Sequence, residues 1–152
     1  ALDVPGVGDA HVFPLWDGPG TVKVVIVDTE KQPASPGLIS EVETYIEEMR
    51  PIGADVTVVS GVGKSINISA TVVLASGYTI QKVQEEFVKQ AEVYLKETVF
   101  KTTYVSYAKV GTILLGTSGV IDYSNLKLNE DAINVPLEAD EIPILGTVEL
   151  GV

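Results

Sequence analysis

The sequence predicts an α+β fold, and three local patterns carry that expectation. Residues 66 to 74 alternate, with Ile66, Ile68, Ala70, Val72 and Leu74 apolar and Asn67, Ser69 and Thr71 polar between them, the period of a half-buried strand. Two segments repeat their apolar residues at helical spacing: Leu38, Ile39, Val42, Tyr45, Ile46 and Met49, then Ile80, Val83, Phe87, Ala91, Tyr94 and Leu95. The short run Val22 to Val27 is β-branched and bounded by Gly20 and Asp28, as expected of a strand inside a sheet.

Residues 1 to 20 carry Pro5, Gly6, Gly8, Pro14, Gly18, Pro19 and Gly20, a density that excludes a regular helix. They read as an arm with at most a short strand near Ala10 to Leu15. Ser35-Pro36 starts the first helix, because the hydroxyl accepts an otherwise unbonded N–H and Pro suits the first turn. Arg50 sits at the negative end of its dipole and Pro51 stops it. A strand follows over Asp55 to Ser60, and Gly61-Val62-Gly63 reads as a hairpin turn into the alternating strand. Thr79 caps the second helix, whose outer face pairs Glu85 with Lys89, Glu92 with Lys96 and Glu97 with Lys101 in a solvated arrangement. A short third helix is expected from Ser106 to Leu115, with Tyr107, Val110, Ile113 and Leu114 inward. Gly119 opens a strand through Leu128, Asn129-Glu130-Asp131 turns the chain toward Ile133-Asn134-Val135, and a last strand runs from Ile144 to Leu150.

Leaving out the short helix, residues 21 to 128 follow the βαββαβ order of ferredoxin-like folds. Two small α/β units joined near residues 61 to 63 are the alternative. The expected organisation is a connecting arm at 1–20, an α+β module at 21–128 and an acidic β extension at 129–152.

The 152 residues hold 10 Lys+Arg against 21 Asp+Glu, a formal charge of −11, with 45% hydrophobic residues. Mean hydropathy is +0.27. That is too apolar for a disordered acidic tail, and the charge disfavours nucleic acid and anionic lipid as partners. With no Cys, thiolate chemistry, disulfides and Cys-ligated metals are excluded. No apolar run approaches the ~20 residues of a membrane-spanning helix. The chain opens Ala1-Leu2-Asp3-Val4 without a leader-like segment and reads as a piece of a longer protein.

No motif assembles an active site. Gly61-Val62-Gly63-Lys64-Ser65 ends like a phosphate-binding loop, but Val58 stands where the first glycine belongs and the segment opens a strand rather than a helix. His11 is the sole imidazole and lies in the Pro/Gly-rich arm with no nucleophile tied to it. Asn67-Ile68-Ser69 matches a glycosylation sequon inside a regular strand and is read as coincidence. From Asn129 onward there are six acids, Glu130, Asp131, Glu138, Asp140, Glu141 and Glu149, without a Lys or Arg. Their spacing does not fit a Ca²⁺ loop. They read as a solvated surface, and Glu130, Asp131, Glu138, Asp140 and Glu141 are candidates for docking a basic partner. No cofactor, metal or small-molecule substrate is expected.

Particular segments carry a resemblance. Val4-Pro5-Gly6-Val7, Gly18-Pro19-Gly20-Thr21-Val22, Arg50-Pro51-Ile52-Gly53-Ala54 and Gly77-Tyr78-Thr79 are similar to the C-terminal part of baseplate J-like proteins. Gly119-Val120-Ile121-Asp122-Tyr123, Leu126-Lys127-Leu128-Asn129 and Pro143-Ile144-Leu145-Gly146 continue the same order, most like the version in PBSX-type defective prophages of Gram-positive bacteria. The resemblance implies a structural wedge component of a contractile-tail baseplate, synthesised in the bacterial cytoplasm. It also implies contacts with other wedge proteins and further copies of itself in a ring, no catalytic residues, no nucleic acid and no membrane insertion. A nucleotide-binding domain using Gly61 to Ser65, and a glycan- or ion-binding tail-tip module, are the alternatives from other classes.

Overall fold

The computed structural model describes residues 1–14, 16–49 and 55–152. Its contacts divide the chain into two compact units, the first made of Ala1–Gly63 with Ala139–Ile142 and the second of Lys64–Glu138 with Pro143–Val152.

In the first unit, β1 (Val7–Pro14), β2 (Thr21–Asp28) and β3 (Asp55–Ser60) form a sheet in the order β1-β2-β3, and α1 (Pro36–Met49) connects β2 to β3. β2 is central, antiparallel to β1 and parallel to β3. A parallel pair needs a crossover longer than a hairpin, and α1 supplies it. The Ser35 hydroxyl accepts from the Leu38 amide (3.2 Å), the cap that Ser35-Pro36 predicts. Val24 pairs with Val58 and Val22 with Val56, which puts them on one face with Ile26. Val42 of α1 packs there, flanked by Leu38, Ile39, Tyr45 and Ile46. Met49, expected inward, is 69% exposed although it lies two turns on from buried Val42, so the burial of the stripe ends before the last residue of the helix. The expected roles of Arg50 and Pro51 lie outside the described residues.

In the second unit, β4 (Val62–Leu74) is the centre of a sheet ordered β6-β4-β8, with β6 at Val120–Leu128 and β8 at Glu141–Gly151. β4 and β8 each begin with two residues that belong to the first unit. Ile66, Ile68, Ala70 and Val72 point into a core with Phe87, Ala91 and Leu95 of α2 (Ile80–Thr98) and Val110 and Leu114 of α3 (Tyr107–Leu115). Thr79 and Ser106 cap those helices by accepting from the amides of Lys82 and Lys109. A small pair, β5 (Tyr104–Val105) with β7 (Val135–Pro136), completes the unit.

The α+β class is as the sequence predicts, and between residues 21 and 128 the helices and longer strands follow the expected order, with the short β5 added between α2 and α3. Of the two arrangements it left open, the strands take the second: β2 and β3 lie in one sheet and β4 and β6 in another, so no single ferredoxin-like sheet forms. The hairpin expected at Gly61 to Gly63 is corrected by the same topology. β3 ends at Ser60, β4 begins at Val62, and the two strands belong to different sheets. The strand expected near Ala10 to Leu15 starts earlier, at Val7, and pairs along β2.

Candidate docking surface

The acids singled out in the sequence fall on both units. Glu130 and Asp131 form the turn after β6. There the Leu128 amide donates to the Asp131 carbonyl (2.8 Å) and the Asp131 amide to the Leu128 carbonyl (3.1 Å), while Asn129 and Glu130 both take positive φ, 50° and 71°. Two left-handed residues between paired strands are a type I′ turn, which favours Asn at the first position and Gly at the second. Asn129 also ties the turn down. Its Oδ1 accepts from the Asn67 amide (2.8 Å) and its Nδ2 donates to the Ser65 carbonyl (3.1 Å). Asn67 passes the linkage to β8, its Oδ1 accepting from the Thr147 amide (2.9 Å). The sequence placed the turn at Asn129 to Asp131 but gave no local signal for this pair, whose members lie 62 residues apart.

Glu130, Glu149, Ser69, Thr147 and Asn67 line a shallow hollow of about 270 Å³ beside this turn. Glu130→Gly should stabilise the second unit by roughly 0.5–1 kcal/mol, since relief of the left-handed cost of a side chain outweighs the freedom Gly adds to the unfolded chain. Denaturant unfolding monitored by circular dichroism checks it, and a destabilised variant contradicts the turn geometry.

Glu138 is exposed and belongs to the second unit, whereas Asp140 and Glu141 are half-buried and belong to the first. The five candidates are therefore not one cluster within either unit. What the division shows instead is how the charge is shared out. Residues 1–63 with 139–142 hold 12 acids against 3 bases, −9, while residues 64–138 with 143–152 hold 9 against 7, −2. Much of the excess lies on α1, which exposes Glu41, Glu43, Glu47 and Glu48 and has no basic residue in its last turn. Two of them, Glu47 and Glu48, lie in the last turn, where carboxylates oppose the helix dipole.

The alternative sites take other forms. Gly61 to Ser65 leads from β3 into β4, so no helix N-terminus faces a phosphate there. His11, on β1, packs edge-on against Phe13 with ring centroids 4.6 Å apart. The Lys23 ammonium lies 5.8 Å from the Phe13 ring centre and 5.4 Å from that of Trp16. Among the described residues, no group of three or more His, Asp or Glu is placed to hold a metal, and no helix is long and apolar enough to cross a membrane.

Fold and surface together define a two-unit α+β module whose chemical character lies in the charge it presents. The chain belongs to the baseplate J-like family: residues 1–60 match the Baseplate J-like central domain and residues 66–151 the Baseplate J-like protein C-terminal domain. It is 38% identical over 157 residues to the phage-like element PBSX protein XkdT of Bacillus subtilis (strain 168), and 39% identical to YqbT of the same strain. Either match takes in 99% of this chain and 45% of the relative, so the chain spans less than half the length of these proteins. A solved chain in the cryo-EM structure of the anti-feeding prophage baseplate, 6-fold symmetrised, shares the fold, with a TM-score of 0.62 at 15% identity over 95% of this chain and 34% of that one. The family resemblance carried by the ordered segments, including its PBSX-type placement, is borne out.

Proposed function

We propose that the chain is part of a wedge component of a contractile-tail baseplate, in a virion or phage-like particle, and acts through protein–protein contacts rather than by turning over a substrate. Two consecutive baseplate J-like domains, matched in order along the chain, carry this reading. Its partners are other wedge proteins and further copies of itself in a ring, and rearrangement of their interfaces transmits host contact to the sheath. Residues 1–20 continue toward an upstream domain, and synthesis takes place in the bacterial cytoplasm.

Electrostatics contributes the selectivity of docking. A unit carrying −9 repels its own kind at long range and accelerates encounter with a basic surface, so the acids guide assembly more than they add affinity. The docking surfaces are Glu130, Asp131, Glu138, Asp140 and Glu141 together with the outer face of α1.

Replacing Glu138, Asp140 and Glu141 by Lys in the full-length protein should reduce particle assembly roughly tenfold or more, because like charges set against a partner cost several kcal/mol. Particles counted by electron microscopy measure it, with circular dichroism establishing that the variant folds. Normal assembly by a folded variant overturns the electrostatic proposal.

A further inference from the structure

The two family matches divide the chain between residues 60 and 66, and the folded units divide there too, after Gly63, with one exception. Ala139–Ile142 lies within the C-terminal domain match and yet belongs by its contacts to the first unit. Its attachment is specific. The Val62 amide donates to the Asp140 carbonyl (2.8 Å), and the Gly61 amide donates to the Ile26 carbonyl (2.8 Å), so Gly61 joins this segment to β2.

Ile142 is fully buried. A Cβ added at Gly61 would lie 3.1 Å from Val27 Cγ1, 3.2 Å from Ile142 Cγ2 and 3.7 Å from the Asp140 carbonyl oxygen. Gly61, Val27 and Ile142 thus form one close layer, in which another methyl group would have to push Val27 and Ile142 aside. Val27 alternates along β2 with Val24 and Ile26, which face α1, so this layer lies on the opposite face of the sheet. A three-stranded sheet with one helix leaves a second face open, and Val25 and Val27 on that face are fully buried.

We propose that residues 139–142 are a clip, a piece of the C-terminal domain's chain that completes the central domain. The central domain is then not a self-sufficient fold ending at residue 60. Because the clip is continuous with Glu138 on one side and Pro143 on the other, a partner that holds or pulls this part of the chain acts directly on the packing of β2. In a machine assembled from such modules, that makes a strain path of covalent chain rather than of surface contact alone.

Hydrogen exchange on the intact 152-residue chain tests the clip. Ile142→Ala should lower amide protection at Val24–Val27 of β2 and Val58–Val59 of β3 by about 30-fold or more, the scale on which emptying a packed site acts. If that variant does not fold, Ile142→Val should lower the same amides by about 2- to 10-fold. Loss confined to residues 143–151 and β4, with β2 and β3 exchanging as before, overturns the proposal.

Discussion

Phe87→Ala is expected to destabilise the second unit by about 3–5 kcal/mol, the range for removing an aromatic ring from a closed core. Phe87 lies midway along α2 with no exposed surface, in one cluster with Ile66, Ile68 and Ala91 and with Val110 and Leu114 of α3. Its ring is where β4, α2 and α3 meet, so no neighbour on a single element can move in to fill the space. For a unit of this size each kcal/mol shifts the midpoint by roughly 4–8 °C, giving a fall of about 12 °C or more in a thermal scan followed by circular dichroism. Val93, on the exposed side of the same helix, is the comparison. Val93→Ala should stay within about 0.5 kcal/mol of the parent. Equal losses from the two variants contradict the assigned core face of α2.

What the sequence made legible here is what local physics decides. The stripe of α2, its Thr79 cap and the alternation of β4 all follow from interactions within a few residues, and each is found where the pattern places it. Partner choice is different. The order of strands and helices is the same for one ferredoxin-like sheet and for two separate sheets, so only long-range pairing selects between them. Gly61 shows the difficulty most directly. Two glycines flanking one valine have the local signature of a turn, but Gly61 sits beside Val27 and Ile142, where an added Cβ would crowd both side chains. The site was legible to a similar depth. Its acidic character is written in the composition, while the concentration of charge on the first unit emerges once the units are known: residues 1–63 already carry −7, and residues 139–142 bring it to −9. Asn67 and Asn129 were invisible as a pair because 62 residues separate them.

Gly8→Ala is expected to cost the first unit about 3 kcal/mol or more, a large effect for a single methyl group. Gly8 lies where the register of β1 on β2 shifts, between Val7 opposite Asp28 and Asp9 opposite Val27. A Cβ there would collide with the Asp28 carbonyl oxygen, and would also lie 2.8 Å from the carbonyl carbon and 2.9 Å from Thr29 Cα. All three atoms are backbone, so no change of rotamer relieves the clash and β1 must separate from the end of β2. Separation also pulls on the Lys31 ammonium, which donates to the Gly8 carbonyl (3.3 Å) and pairs with Asp9 (3.4 Å). Gly18 provides the contrast: an added Cβ meets nothing within 4 Å, and only its φ of +98° resists substitution, so Gly18→Ala should cost about 1–2 kcal/mol. Trp16, the single tryptophan of the chain, belongs to this unit and reports its unfolding by fluorescence. Its denaturation midpoint should fall clearly further for Gly8→Ala than for Gly18→Ala. A neutral Gly8→Ala would mean that residues 7 to 14 are a loose arm, and the fixed pairing of β1 with β2 would have to be abandoned.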